Sequence, residues 1–504
     1  MVIGLLCGCS NEPGAYVPTG DGLTWDEDYT GPVNTHKPET SEQSLSLTYY
    51  PDRSMNPFKC TDFTNRALFS LLYQSLFSID RGYNIEPQLC KKYKVSEDMK
   101  TYTFYMEAAT FSDGTKLTAQ DVLASLQAAK ESSIYSGRFT YISQMSLTED
   151  GGVKISLSTP FENLPLLLDI PILKQSQLQV DQPMGTGPYF MDVTSQTPLL
   201  RKNTNWWCSA KMVVTAPAIT LVKAESIAGI RDSFEFEGLS LVCANPGSDR
   251  YADYRCDYEL WDCENNIFLY LACNMDSEVF SDQRVRAALT HAVDRDTIAE
   301  SYYRGFSRSA SVPASPLSPY YSDILASRYT FDGGEAFTKA VTDASKTGDE
   351  IVFLVNSDDT LRLRVARFIG QQLTACGLKV TMKEVSTSKY KQALEQRSYD
   401  LYLGQTKLSP NMDLSAFFAN KGSLSYGRIS EVALYTLCTE ALANHGNYYT
   451  LHKSIMDDGR LCPILFQSYA IYATRGLLTG LTPARENVFY YSLNKSMDNA
   501  LIEE

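Results

Sequence analysis

The chain has 504 residues, well beyond the usual length of a single domain, so we expect more than one core or several lobes. Hydrophobic residues make up 44% and charged residues 21%, ordinary globular values that argue against a disordered chain or a polytopic membrane protein. The net charge of −14 would repel a phosphate backbone, which excludes nucleic acid as an expected partner.

The N-terminus predicts a lipid anchor followed by a tether. Leu6, Cys7 and Gly8 precede Cys9 after a short apolar stretch, an arrangement that resembles a bacterial lipobox. We expect residues 1–9 to be the remnant of a lipoprotein signal, with Cys9 as the lipidated residue. Residues 10–43 carry four prolines and no periodic apolar pattern, which predicts a disordered spacer.

The folded part begins with alternating and helical apolar patterns. Residues 45–50 and 101–106 alternate as half-buried strands do, and four leucines between Thr64 and Phe77 predict a helix there. The Asp-Gly turn of residues 111–115 follows the second strand, and Thr118 can cap a helix that runs through Leu126.

A strand and helix succession between residues 351 and 403 indicates a parallel or mixed sheet covered by helices. Such sheets bind ligands beyond the carboxyl ends of their strands, so the loop after Leu403 is a candidate binding edge. The predicted elements are an apolar strand at 351–355, a helix that Thr360 can cap and Gly377 stops, a strand at 378–382, a helix at 388–396 and a strand at 399–403.

No catalytic constellation is recognisable in the sequence. The chain has four histidines and no HExxH, GxSxG, P-loop or GxGxxG pattern, so we expect neither an enzyme nor a cofactor or metal site. The cysteines after Cys9 form no CxxC pair. They are open to two interpretations, disulfides or buried free thiols.

Four separated segments together resemble the bacterial extracellular solute-binding proteins of family 5, the peptide, dipeptide and nickel receptors of ABC importers. The segments cover about residues 45 to 490 in the family's order. They are residues 56–122 with Phe111-Ser112-Asp113-Gly114, residues 185–189, residues 274–313 with Asp282-Gln283-Arg284-Val285-Arg286, and residues 371–401.

The resemblance implies an α/β, two-lobed periplasmic-binding-protein-like fold of class II, with an inserted subdomain and a hinged cleft. It also implies a monomeric, extracytoplasmic receptor that delivers a small ligand, an oligopeptide or dipeptide, to ABC permease subunits. The expected division is lobe I at 44–77, 185–267 and 465–504, the inserted subdomain at 78–184, and lobe II at 268–464.

The resemblance also places the ligand. In peptide-binding members the loop after the strand at 399–403 carries an aspartate that pairs with the peptide amino group; here Asp413 matches the later acidic position, and Pro410 stands where the amine-binding aspartate would be. Gln405, Thr406 and Lys407 lie on the same predicted loop. Aromatic side chains near strand ends suit a receptor for varied ligands, and these candidates are Tyr49, Tyr50, Tyr270 and Tyr426.

Three alternatives stay open at this point. Within the fold, the ligand could be a metal chelate of the nickel type, for which His445 is the one histidine near a plausible loop, or another solute that lacks a free amine. Outside it, the chain could be a secreted peptidase that uses two carboxylates, or a sensory or adhesive lipoprotein that kept the fold without transport.

Overall fold

The structure is a computed structural model that describes residues 45–493, except 193, 196, 225, 237, 247–253 and 479–480, and also residues 502–503. Cys9 and the expected tether lie outside the described residues. The strands are β1 (Leu45–Tyr49), β2 (Phe77–Ile79), β3 (Ile85–Pro87), β4 (Cys90–Val95), β5 (Thr101–Met106), β6 (Ile142–Leu147), β7 (Val153–Leu157), β8 (Tyr189–Asp192), β9 (Leu199–Lys202), β10 (Val213–Val214), β11 (Ala218–Lys223), β12 (Leu241–Ala244), β13 (Tyr258–Cys273), β14 (Ser307–Ser309), β15 (Glu350–Asn356), β16 (Lys379–Val385), β17 (Leu401–Lys407), β18 (Leu461–Thr474) and β19 (Ile502–Glu503).

Helices cover both halves of the molecule, and in the described part none is long and apolar enough to cross a bilayer. The α-helices are α1 (Phe63–Arg66), α2 (Phe69–Leu72), α3 (Ala119–Glu131), α4 (Ile227–Glu235), α5 (Gln283–Ala288), α6 (Arg295–Thr297), α7 (Asp323–Ala326), α8 (Glu335–Asp343), α9 (Thr360–Ala375), α10 (Thr387–Gln396), α11 (Ser415–Phe418), α12 (Val432–Ala443) and α13 (Tyr448–Asp458).

One long sheet path connects two lobes. Its strand order is β16-β15-β17-β13-β18-β12-β1-β11-β9-β8, with β14 also on β18. We call the side with β12, β1, β11, β9 and β8 the first lobe, and the side with β17, β15 and β16 the second lobe. The long strands β13 and β18 pair antiparallel with each other and run through both sides, so the expected two-lobed α/β fold is confirmed.

The pairing of β13 with β18 changes register midway between the lobes, where Glu264 and Phe268 bracket the irregularity. Asn266 sits there with φ +57°, a left-handed conformation that asparagine tolerates better than most residues. The buried Tyr83 hydroxyl donates to Glu264, and Ser315 Oγ donates to the same carboxylate at 2.8 Å. The change of register is therefore fixed by a buried polar network.

A second sheet, β4-β5-β7-β6, belongs to the inserted part of the chain. Helix α3 packs on it and begins with a full capping box, in which Thr118 Oγ1 accepts from the Asp121 amide and Asp121 accepts from the Thr118 amide. The predicted strand at 101–106 and the cap at Thr118 are confirmed, although the helix continues to Glu131. After this sheet the chain returns to the first lobe.

Two sequence predictions about local structure are wrong. The single helix predicted from Thr64 to Phe77 is two short helices, α1 and α2, followed by β2. Its leucines are buried all round the segment, so their spacing could not distinguish a helix from other packed structure. The strand predicted at 399–403 corresponds to β17, which begins at Leu401 and continues to Lys407, so Gln405 and Thr406 lie on a strand rather than on the predicted loop.

Glycines explain two close approaches in the fold. A Cβ on Gly187 would lie 2.5 Å from the Leu72 carbonyl carbon, so glycine is needed where the chain passes the end of α2 and enters β8. A Cβ on Gly404 would lie 2.4 Å from the Tyr270 ring. Because that ring occupies the space, glycine continues strand β17 instead of ending it.

The ten cysteines in the described part of the chain are free, and most are buried. Cys263 and Cys273, for example, lie on β13 with no exposed surface. Burial raises the pKa of the Cys273 thiol above its ordinary range, so this group behaves as a small hydrophobic side chain rather than a nucleophile. Of the two interpretations of these cysteines, disulfides or buried free thiols, the structure has the free thiols.

Candidate functional site

A cavity of about 800 Å³ lies between the two lobes and is the candidate site. This volume falls in the range of known small-ligand pockets. The first lobe and the inserted part supply one wall, and the second lobe supplies the other. The residues that carry its chemistry are Phe63, Arg66, Tyr135, Arg138, Tyr141, Gln405, Thr406, Lys407, Asp413, Ser415, Tyr435, Tyr469, Arg485 and Glu486.

Strand β17 and the turn after it position the second-lobe wall. Its last three residues pair with β13, with Lys407 opposite Ile267 and Gln405 opposite Leu269. The Gln467 side chain donates to Gln405 Oε1 at 2.9 Å, which fixes the direction of that amide. The end of β17 is the carboxyl edge at which ligands of α/β sheets bind.

Asp413 is an acceptor in the second-lobe wall. Its carboxylate accepts from the Ser415 amide and from Ser415 Oγ, both at 2.9 Å, which leaves further acceptor capacity. Burial raises the pKa of Asp413 above the ordinary aspartate range, although the two Ser415 donors oppose this. Tyr141 lies across the cavity in the inserted part, where burial and then the Asp413 charge raise the pKa of its hydroxyl. A cationic group of a ligand bound here would stabilise the charged form of Asp413, which burial has deprived of solvent.

Glu486 connects the two lobes through an ion pair. It accepts from Lys407 of the second lobe and lies 3.4 Å from the Arg66 guanidinium of the first. Burial opposes ionisation of Glu486, but Lys407 and Arg66 together hold its pKa below the ordinary value. Desolvation in the cleft lowers the pKa of Lys407, and Glu486 opposes that shift. This carboxylate is therefore ionised and holds two cations at the cleft.

Asp169 holds two more cations on the first-lobe side. Arg138 donates to one oxygen of this carboxylate, and Arg485 Nη1 donates to the other at 2.9 Å. Burial would raise the pKa of Asp169, yet the two guanidinium groups keep it lowered. Across the cleft, Lys407 of the second lobe and the three arginines of the first-lobe side thus meet two carboxylates, which leaves two positive charges over in a chain whose net charge is −14.

Aromatic rings complete the cavity. Phe63 and Tyr469 stack with their centroids 3.6 Å apart and their planes 16° from parallel. Both rings line the cavity, as do Tyr135, Tyr141 and Tyr435. They provide apolar area beside the charged groups. This arrangement favours a ligand that has a polar group at each end and side chains of varied type between them.

The structure brings four of the predicted ligand residues together: Gln405, Thr406, Lys407 and Asp413 all line the cavity. The four predicted tyrosines do not line it. Tyr49 is buried in the first-lobe core, Tyr50 lies under the Arg53 guanidinium, and Tyr270 and Tyr426 pack in the second-lobe core. Ligand contact through these four rings stays a prediction.

Sequence reasoning missed Arg66, Arg138, Asp169, Arg485 and Glu486, because exposed charges are the ordinary expectation for such residues. One signal was available. Asp169 is the only charge in the apolar run Leu164 to Leu173, and a charge in such a run must be paired when it is buried.

His445 gives the nickel interpretation no support from geometry. Its ring lies beside Glu162 and stacks edge-on against Tyr320, and it does not line the cavity. Within the described part of the chain, no group of three or more histidine, cysteine or carboxylate side chains is placed to hold a metal ion.

Comparison with known proteins gives a family match over most of the chain. The model of the bacterial extracellular solute-binding proteins, family 5 (middle region), matches residues 84–425. The glutathione-binding protein GsiB of Escherichia coli strain K12 is 22% identical over 400 residues, 74% of each chain.

Solved structures give the same fold. The substrate-binding protein CtaP of an ABC transporter of Listeria monocytogenes superposes with a TM-score of 0.73 and 17% identity, over 92% of this chain and 99% of that one. The oligopeptide-binding protein AppA of Bacillus subtilis, solved with a nonapeptide, gives a TM-score of 0.63 and 18% identity over 88% and 97%.

Proposed function

This chain belongs to the bacterial extracellular solute-binding proteins of family 5, and we propose that it captures a small peptide in the cleft between its two lobes. The family consists of extracytoplasmic binding proteins that serve ABC transporters, so the chain is a receptor and not an enzyme. The class of its ligand, its lipid anchor and the closure of its cleft are proposals.

The observation that carries the peptide proposal is that an acceptor carboxylate and an excess of positive charge lie on opposite walls of the cavity. Asp413 offers a carboxylate with spare acceptor capacity on the second-lobe wall, whereas Arg66, Arg138 and Arg485 give the first-lobe wall its excess of positive charge. A peptide carries an ammonium group at one end and a carboxylate at the other, which matches both walls. The likeness to a glutathione-binding protein supports the same ligand class.

Mass spectrometry of the purified protein tests this proposal directly. Ligands that co-purify are released by denaturation and sequenced, and the empty protein is then screened by thermal shift against short peptides. A ligand at a hundred times its Kd stabilises the protein by about 2.7 kcal/mol, which is easily measured. Absence of stabilisation by every peptide would remove the peptide proposal, and cleavage of bound peptide would contradict the receptor assignment.

We propose that ligand binding closes the cleft about the register change in β13 and β18. The two lobes share only these long strands in the main sheet path, and Asn266 at the change has the backbone freedom that a hinge uses. The Lys407 to Glu486 pair lies between the lobes, where closure shortens contacts. Small-angle scattering is expected to give a smaller radius of gyration with ligand; an unchanged value at saturation would contradict closure.

The lobes and the inserted subdomain are proposed to keep the sequence-based bounds. They are 44–77, 185–267 and 465–504 for lobe I, 78–184 for the inserted subdomain, and 268–464 for lobe II. Limited proteolysis without ligand is expected to cut first near these joints.

The anchor and the partners complete the proposal. Lipidation of Cys9, with residues 10–43 as spacer, would hold a monomeric receptor at the outer face of the cell membrane, near its permease. Cys9→Ser is expected to move the protein from the membrane fraction to the soluble fraction, with Cys7→Ser as the matched control. Co-purification with permease subunits tests transport against a purely sensory role.

A further inference from the structure

A second, smaller cavity of about 120 Å³ adjoins the cleft behind its first-lobe wall. Five side chains line both cavities and separate the recess from the cleft: Arg66, Tyr135, Arg138, Arg485 and Glu486. A water molecule occupies about 30 Å³ in the liquid, so the recess has room for about four waters or one short side chain. It is too small for a whole ligand and suits one group of a ligand.

The recess is lined by buried donors that lack partners. The Trp207 indole donates to Gln74 Oε1 at 2.8 Å, which turns the other end of that amide, Nε2, away from the indole. Among the described residues, Gln74 Nε2 and the nearby Tyr491 hydroxyl are buried without a well-formed hydrogen bond, and the two groups face each other. Ser70 Oγ is a third such group. All three residues line the recess.

Arg485 adds a charged donor. Its side chain is 6% exposed, and while Nη1 donates to Asp169, its buried Nε has no partner among the residues that the structure describes. The amide of Asn487 also lines the recess with an unpartnered Oδ1, and rotation about χ2 presents its NH₂ instead. Leaving such groups without partners is unfavourable, and an apolar ligand group would leave every one of them unsatisfied.

A carboxylate fits these features best. Its two oxygens accept several hydrogen bonds at once, which matches N–H and O–H groups converging on a small volume. The lining of the recess also has an excess of one positive charge, because Arg66, Arg138 and Arg485 outnumber the ionised carboxylates of Asp169 and Glu486. A neutral amide of the same shape would gain the hydrogen bonds but not the charge interaction.

We propose that this recess is a subsite for a carboxylate-bearing side chain, so that the preferred ligands are acidic peptides. The proposal rests on the proposed function, because the recess opens on the peptide cleft. Gln74, Ser70 and Arg485 would hold the carboxylate, and the Trp207 indole would position the amide of Gln74.

Calorimetric titration of matched tripeptides tests the subsite. The set has one glutamate at each position of trialanine, and every member is paired with its glutamine counterpart. We expect at least one glutamate peptide to bind about tenfold or more tightly than its counterpart, from one or two charge-assisted hydrogen bonds. If no peptide binds, the proposed function fails; if both members of every pair bind equally, only the subsite fails.

Two variants separate recognition from structure. Gln74→Glu keeps the acceptor for Trp207 and replaces the donor with a carboxylate oxygen, so it should weaken the glutamate peptide about ten- to hundredfold and leave the glutamine peptide nearly unchanged. Ser70→Ala should act in the same direction with a smaller loss. Ser143→Ala, exposed on β6, is the control and should change neither affinity. Equal losses for both peptides would overturn the proposal in favour of a structural role.

Discussion

Replacing Asp169 by asparagine should destabilise the protein strongly, because two guanidinium groups depend on this carboxylate. Arg485 and Arg138 are 6% and 14% exposed at the side chain, and Asp169 itself is 19% exposed. Removing one partner of a buried pair typically costs about 3–5 kcal/mol, since the remaining charge stays desolvated. The partial exposure at the cleft places our expectation at the lower end, about 3 kcal/mol. That is a large fraction of the about 5–15 kcal/mol by which proteins are stable.

Urea denaturation followed by fluorescence measures this loss, with Asp343→Asn as the matched control. Asp343 pairs with Lys339 one helical turn away on α8, where both side chains are more than half exposed. Such a surface pair contributes about 0.3–0.5 kcal/mol. A loss for Asp169→Asn no larger than that of the control would refute the reasoning that these arginines are uncompensated without Asp169.

The pH dependence gives an independent check on the same residue. The pKa of Asp169 is lower in the folded protein than in the unfolded chain, where aspartate titrates near about 3.9. Its contribution is therefore fully present above that unfolded value and is lost as the pH falls through the folded pKa. The wild-type free energy of unfolding should thus fall more steeply below about pH 4 than that of Asp169→Asn.

Three further changes have defined outcomes. Thr118→Ala removes the capping box of α3 and should cost about 1 kcal/mol in urea denaturation, whereas Ser386→Ala, at a helix start without a side-chain cap bond, should cost little. Gly187→Ala forces a Cβ to 2.5 Å from backbone and should lower stability by about 1–3 kcal/mol, unlike Gly137→Ala, whose Cβ would meet nothing within 4 Å. The affinity for a peptide with a free amino group should fall as the pH drops through the raised pKa of Asp413, and neither Asp413→Asn nor an N-acetylated peptide should show that dependence in calorimetry.

Local features of the fold were predictable because they depend on neighbouring residues. The strand at 101–106 follows from the alternation that begins at Thr101, and the start of α3 follows from a threonine and an aspartate three residues apart. Helix α9 ends as its sequence indicates, with Gly377 at φ +100° directly after its C-terminal cap. The family resemblance then supplied the two-lobed arrangement that no local pattern contains.

The extent of β17 was not predictable, because the reason for Gly404 lies on another strand. A glycine inside an apolar run ordinarily indicates a break, but here the Tyr270 ring of β13 fills the space of its missing side chain. The same contact places Tyr270 within the second-lobe core instead of at the cleft. One long-range contact therefore accounts both for the length of β17 and for the position of the Tyr270 ring.

The charged wall of the cleft could not be assembled from sequence, since Arg66, Asp169, Lys407 and Glu486 come from distant parts of the chain. Asp413 and Lys407 were found only because the family resemblance pointed to their segment. The balance of charge at the site, which bears most directly on the ligand, is a product of tertiary folding.

The turn that presents Arg485 and Glu486 carries backbone strain, and its position explains why. Ala484 and Asn487 exchange both backbone hydrogen bonds, and the two residues between them have φ values of +45° and +69°. This is the pattern of a type I′ turn, which ordinarily takes asparagine and glycine because other residues pay about 1–2 kcal/mol each in this region. Arg485 and Glu486 nevertheless occupy these positions. Arg485 donates to Asp169, and Glu486 pairs with Lys407 and Arg66. The strained turn is thus held in place by the ion pairs that its two side chains make at the cleft.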